Sequence, residues 1–138
     1  MNVRQFGIAY AVAAVIFLAL DAIWLTTMAD RLYRPALAHL MRESFDPVPA
    51  LLFYALYFVG VLVFAVAPGL RDGAWSTALG RGALFGLIAY ATYDLTNQAT
   101  LKDWPWHVTL ADLLWGSFVT AVAAGAACLL TAKFAGRG

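Results

Sequence analysis

The sequence predicts an all-α protein, an integral membrane four-helix transmembrane bundle built as a single domain over residues 1–138. Three observations carry that expectation. Hydrophobic residues make up 63% of the chain and charged residues only 12%, about half the share with which a soluble domain coats its surface. The apolar residues gather into four segments, 6–28, 50–67, 78–98 and 107–132, each close to the roughly 20 residues that carry a helix across a bilayer's hydrocarbon core. The connections between them are too short to form a soluble domain.

The first segment follows Arg4 and ends at Met28. A charged start followed by an apolar run also describes a secretory signal. This run, however, exceeds the roughly 7–15 residues of a signal core, and Thr27-Met28-Ala29 is a poor cleavage site, so it is read as a span. The second is the shortest, framed by Pro47 and Pro49 before it and by Pro68-Gly69 after it, where proline starts or stops helices. The third contains Gly82-Ala-Leu-Phe-Gly86, a small-xxx-small spacing that lets membrane helices approach backbone to backbone. The fourth holds the single cysteine, Cys128, which has no second cysteine to bridge and is read as a small apolar residue.

Charge excludes some partners. A formal net charge of +1 without a basic run gives no electrostatic case for nucleic acid. The expected partners are the lipid bilayer, a small-molecule or lipid ligand, and a second copy or another subunit of a membrane complex. Four spans place both termini on one side. Arg4, Arg71, Arg81, Lys133 and Arg137 then share that side, against Arg31, Arg34, Arg42 and Lys102 opposite, a small excess that favours cytoplasmic termini.

The polar residues inside the spans collect at one end. Asp21 lies late in the first span, Asp94 late in the third and Asp112 early in the fourth. At about 1.5 Å per residue all three come within roughly 6 to 11 Å of one membrane surface, level with Tyr54 and Tyr57. Residues three and four apart share a helix face. That rule aligns Asp21 with Trp24, Asp94 with Tyr90, Tyr93 and Asn97, and Asp112 with Trp115. The antiparallel D-x-x-W pairs predict a pocket floored by Trp115 and roofed by Trp24, with carboxylates between them.

An ionised aspartate at the centre of a spanning helix costs about 2.5–3.5 kcal/mol, and Arg81 is the basic residue within a span. Protons or a cation must therefore neutralise the cluster. A structural reading has Arg31, Arg34 or Lys102 folding in from the loops to cap it. A functional reading makes Asp21, Asp94, Asn97 and Asp112, with Tyr90, Tyr93, Trp24 and Trp115, a site for a proton, a cation or a small polar head group. His39 and His107 sit at the same end but in loop and boundary positions. No metal ligand is assigned, no catalytic residue is assigned, and the cofactor is unknown. Trp104 and Trp106 read as interfacial anchors.

The stretches Tyr93-Asp-Leu-Thr-Asn97, Ala99-Thr-Leu101, Trp104-Pro105 and Asp112-Leu-Leu-Trp-Gly116, with Leu20-Asp-Ala-Ile-Trp-Leu25 before them, resemble the signature of a bacterial family of small uncharacterised inner-membrane proteins, a domain of unknown function. The resemblance implies a multi-pass protein of the bacterial inner membrane and carries over no activity or site residue. Three functions follow as expectations. The first is a ligand-binding or accessory membrane protein. The second is a membrane enzyme acting on a lipid or other amphiphile, with an aspartate as general acid or base. The third is a proton- or cation-coupled carrier, against which the off-centre position of the acids counts. The span order makes a prediction: cysteines replacing Ala38 and Lys102 will both react with a membrane-impermeant thiol reagent from the same side of the membrane.

Overall fold

The computed structural model describes residues 1–136; Arg137, counted above on the terminal face, lies outside them. Four long helical rods run up and down, and no strand occurs among the described residues. The first is α1 (Val3–Met28), which continues through a π-helical turn (Ala29–Tyr33), the short α2 (Arg34–Leu37) and a 3-10 turn (Ala38–Leu40). The second comprises α3 (Pro47–Val61), a π-helical stretch (Leu62–Val66) and α4 (Ala67–Asp72). The third is α5 (Trp75–Thr100) and the fourth α6 (Trp106–Ala135).

Local chemistry explains the ends. Asn2 caps α1 through a reciprocal pair: the Gln5 N–H donates to Asn2 Oδ1 at 2.8 Å and the Asn2 N–H to Gln5 Oε1 at 2.9 Å. Such a box satisfies two of the donors that a helix start leaves without partners. The Gln5 amide also donates to the Gly136 carbonyl at 2.9 Å, so the start of α1 closes the end of α6. Asp46 caps α3 by accepting from the Val48 N–H at 3.1 Å.

Two boundaries differ from the sequence expectation. Pro68-Gly69 does not end the second rod. The π-helical stretch places Pro68 in the first turn of α4, where a missing N–H is tolerated, and the chain turns instead at Gly73, whose φ of 67° is a left-handed cap that suits glycine. The connection between the first two predicted segments, residues 29–49, is helical as far as Leu40.

Three rods, Val3–Leu40, Pro47–Asp72 and Trp106–Ala135, are long and apolar enough to cross a membrane. α5 spans about 39 Å at 1.5 Å per residue, yet Arg81, Asp94, Asn97, Gln98 and several threonines and glycines keep it below that threshold. The outer surface is apolar, with Leu51, Leu56, Phe64, Leu114 and Phe118 all more than half exposed. Water does not tolerate so continuous an apolar surface on a monomer.

α6 lies between α1 and α5 and packs along both. The contact with α5 is backbone to backbone, as the Gly82–Gly86 spacing predicts. A Cβ built on Gly86 would stand 2.2 Å from the Gly116 carbonyl oxygen, and one on Gly82 would stand 2.9 Å from the Thr120 carbonyl oxygen. Ser117 reinforces the pair by donating to the Ala83 carbonyl at 2.9 Å. The second rod is held mainly in its lower half. Phe85 fills the space over Gly60, and Tyr57 reaches Thr120 in a hydroxyl–hydroxyl bond of 2.8 Å.

Gly86→Ala therefore forces α5 away from α6 and will lower stability in detergent by about 1–3 kcal/mol, the usual cost of overpacking. Gly80 faces open space, so Gly80→Ala will be neutral or stabilise the helix by up to about 1 kcal/mol. Paired thermal unfolding curves of the two variants check the contrast.

Candidate functional site

The α5–α6 contact sets the geometry of the polar end. Above Gly86, the ring of Tyr90 lies against Gly116 so closely that a Cβ there would stand 2.2 Å from the ring. One turn further, Asp94 faces Asp112 of α6, and their carboxyls stand close enough to interact. α1 brings Asp21 alongside. All three aspartates are buried, at 6%, 0% and 7% exposure for Asp21, Asp94 and Asp112.

Neutral aromatic donors hold two of the acids. Tyr54 donates to Asp21 Oδ2 at 2.6 Å, and the Trp115 indole donates to Asp21 Oδ1 at 3.1 Å. Tyr33 donates to Asp112 Oδ1 through a short hydrogen bond and itself accepts from the Trp24 indole at 2.9 Å. Asp94 differs from both. No hydroxyl, indole or amide reaches either of its oxygens; its neighbour is the Asp112 carboxyl, with which it can share a proton, and a buried polar group without a partner carries a large desolvation cost.

The loop cations expected to cap the cluster turn elsewhere. Arg34 pairs with Asp30 and Arg42 with Asp46, while His39 stands 3.8 Å from Asp103. Among the described residues no basic side chain pairs with Asp21, Asp94 or Asp112, and no three His, Cys, Asp or Glu side chains converge as a metal site would require.

Several expected site residues take different positions. Trp24 and Trp115 do not floor and roof a pocket. Their rings stack directly at 4.6 Å and 7°, because antiparallel D-x-x-W pairs bring the indoles to one level, and the stack leaves no gap for a carboxylate. Tyr93 is 59% exposed and packs edge-on against Trp104 at 5.6 Å; Asn97 lies half-buried beside it. Tyr93 therefore faces Trp104 on the flank of α5 while remaining in the neighbourhood of Asp94 and Asp112. Tyr90 remains with the cluster, in the neighbourhood of Asp21 and Asp112.

Gln98 has another task. It accepts from Thr109 at 2.8 Å and donates to the Trp104 carbonyl at 2.6 Å, while the Trp104 indole donates to Thr109 at 3.0 Å. This knot ties the end of α5 to the start of α6 and buries Trp104, leaving Trp106 as the exposed indole of the pair. Thr92, Thr96 and Thr100 return their hydroxyls to carbonyls one turn back.

Tyr33 and Tyr54 are members that helical spacing did not select. Trp24 and Tyr33 are nine residues apart, which on a continuous α-helix would place them on opposite sides. The π-helical turn rewinds the chain and brings them together. Tyr54→Phe strips a donor from buried Asp21 and will lower stability by about 1–3 kcal/mol, the cost of leaving a buried acceptor without its partner. Tyr93→Phe, at an exposed position, will stay within about 0.5 kcal/mol of the parent. Thermal unfolding of both variants in one detergent tests the assignment.

Residues 6–129 match the family described as "Predicted membrane protein (DUF2177)", whose function is unknown. No curated protein and no solved structure matches the chain.

Proposed function

The chain belongs to that family of predicted membrane proteins, and from this premise we propose that it is a four-span protein of the bacterial inner membrane whose carboxylate–aromatic cluster binds a small, positively charged or hydrogen-bond-donating ligand. Four crossings follow from connectivity. If the second and fourth rods cross, α5 must cross with them, because only Gly73 and Ala74 join it to α4 and residues 101–105 join it to α6. Its polar residues are sheltered against α6 or satisfied within the helix. Cytoplasmic termini then place the cluster near the outer surface of the membrane.

The observation that carries the binding reading is Asp94: wholly buried, beside the Asp112 carboxyl, and with no hydroxyl, indole or amide donor on either oxygen. Structural aspartates in the same bundle find donors, as Asp21 does from Tyr54 and Trp115. An intramembrane acid left without one is in place to receive a partner from outside the chain. Protein donors surround the site with hydroxyls and indoles and leave the positive charge to the ligand. Aromatic faces beside carboxylates suit a cation, which both attract. The position at one end, away from the bundle's middle, supports binding from one side over alternating transport.

Asp94→Asn keeps the side chain's shape and removes its capacity for charge. Removing a buried ionisable group is often neutral or stabilising, so the variant will fold with a stability within about 1 kcal/mol of the parent or above it. Small molecules and ions that co-purify with the parent, identified by mass spectrometry, will be absent from the variant. A variant that loses several kcal/mol and retains every co-purifying species would show that Asp94 holds the bundle together and binds nothing.

A further inference from the structure

Arg81 is the basic side chain within a span, and the acid cluster makes no use of it. It lies six residues into α5, about 9 Å along the helix from Trp75. With Leu84, Phe85 and Ile88 it takes positions i, i+3, i+4 and i+7, one face of the helix. Gly82 and Gly86 hold the adjoining face against α6, so this one looks outward, with Arg81, Leu84 and Ile88 exposed. Beside it stands Phe64 of the second rod, whose ring stacks on Phe85 at 5.7 Å and 25°. These five residues line a groove of about 260 Å³ that is apolar except for the arginine.

Among the described residues no carboxylate pairs with Arg81 and no carbonyl or hydroxyl accepts from it. Asp72, the acid at that end of the bundle, accepts from Thr77 at 3.1 Å instead. An arginine in a spanning helix is costly without a counter-charge, and its long stem lets the head rise to the interface. The anion present at that level is a lipid phosphate, whose oxygens match the planar guanidinium two at a time. The geometry points to a phospholipid site: Arg81 holds the phosphate of an anionic phospholipid, and one acyl chain lies in the groove against Phe64, Phe85 and Ile88. The site rests on the crossing of α5 proposed above and involves none of the acids.

The groove has length and the face has charge. Phe64 and Phe85 also line a second apolar groove of about 390 Å³ that leads past Gly60 towards the middle of the bundle. The second rod packs on α5 through its π-helical stretch and α4, and along α3 the two part, which leaves the chain room to continue. At the terminal end, Arg4, Arg71 and Lys133 accompany Arg81, against Asp72 as the one acid there among the described residues. Such a face attracts an anionic headgroup, and a headgroup with its own ammonium gains less. Trp75, half exposed at the start of α5, marks the interfacial level.

Native mass spectrometry of the delipidated protein tests the site. Phosphatidylglycerol and phosphatidylethanolamine with identical chains are titrated into the parent and four variants. The parent will bind phosphatidylglycerol roughly 3- to 10-fold more tightly, the worth of one basic residue near an anionic headgroup. Arg81→Gln will weaken that binding about tenfold, the loss of one charge-assisted contact, and Arg81→Lys will recover part of it, as a point charge without the fork. Leu84→Trp fills the groove, leaves the guanidinium in place and will weaken binding as well. Arg71→Gln removes an equal charge from a separate cavity beside Asn2 and Gln5 and will change affinity less than about twofold. Glycerophosphoglycerol, the same headgroup without chains, will not displace the lipid. Equal losses from Arg71→Gln and Arg81→Gln, or equal affinity for the two lipids, would overturn the headgroup site. Unchanged affinity in Leu84→Trp, or displacement by glycerophosphoglycerol, would overturn the seat of the acyl chain. None of these results bears on the thiol-labelling test of the span order, whose failure would remove the crossing of α5 itself.

Discussion

The backbone contact between α5 and α6 is the constraint on which the polar end depends. Gly86 faces the Gly116 carbonyl and the Thr120 side chain, and Gly82 faces the Thr120 carbonyl and the Ala124 methyl. With the helices this close, Tyr90 must lie flat over Gly116, and Asp94 meets Asp112 one turn above. Larger residues at these glycines would separate the two carboxyls and open space for water or lipid around them. Apolar side chains add little to association between helices within lipid, where packing and interhelical hydrogen bonds take over, and this contact supplies both through the glycines and Ser117.

The same bundle handles its buried polar atoms in two ways. Most are satisfied locally: threonines bond to their own helix, Gln98 closes a knot with Trp104 and Thr109, and Gln5 reaches the Gly136 carbonyl. Asp21 and Asp112 are served by phenol and indole donors, whose apolar bodies pack while their polar tips bond. Asp94 alone among the three acids meets no hydroxyl or indole donor and has the Asp112 carboxyl as its neighbour, a contrast set within one environment and one helix length. It locates the functional question at a single carboxyl.

Much of the architecture is legible in the sequence because hydrophobic length is a direct signal. The four apolar segments, the Gly82–Gly86 approach and the gathering of Asp21, Asp94 and Asp112 at one end all follow from length, spacing and helical rise. What fails to read through is whatever depends on a change of helical winding. Pro68 looks like a terminator until the π-helical stretch before it is known, and Tyr33 looks like a loop residue until a similar turn carries it under Trp24. Tyr93 shares an arc with Tyr90 in an ideal helix, yet it is largely exposed and meets Trp104 edge-on while remaining near Asp94 and Asp112. Position along the sequence gives depth reliably and direction less so.

The modest hydropathy of α5 bears on how such a chain is assembled. A helix bearing Arg81, Asp94, Asn97 and Gln98 gains little by entering lipid on its own, whereas its neighbours on either side in the sequence are strongly apolar. The backbone face that needs shelter is the one α6 covers, and α6 follows after five residues. On the four-span reading proposed above, α5 enters the membrane with α6 as a helical hairpin, and the acid cluster is unmade until both are in place.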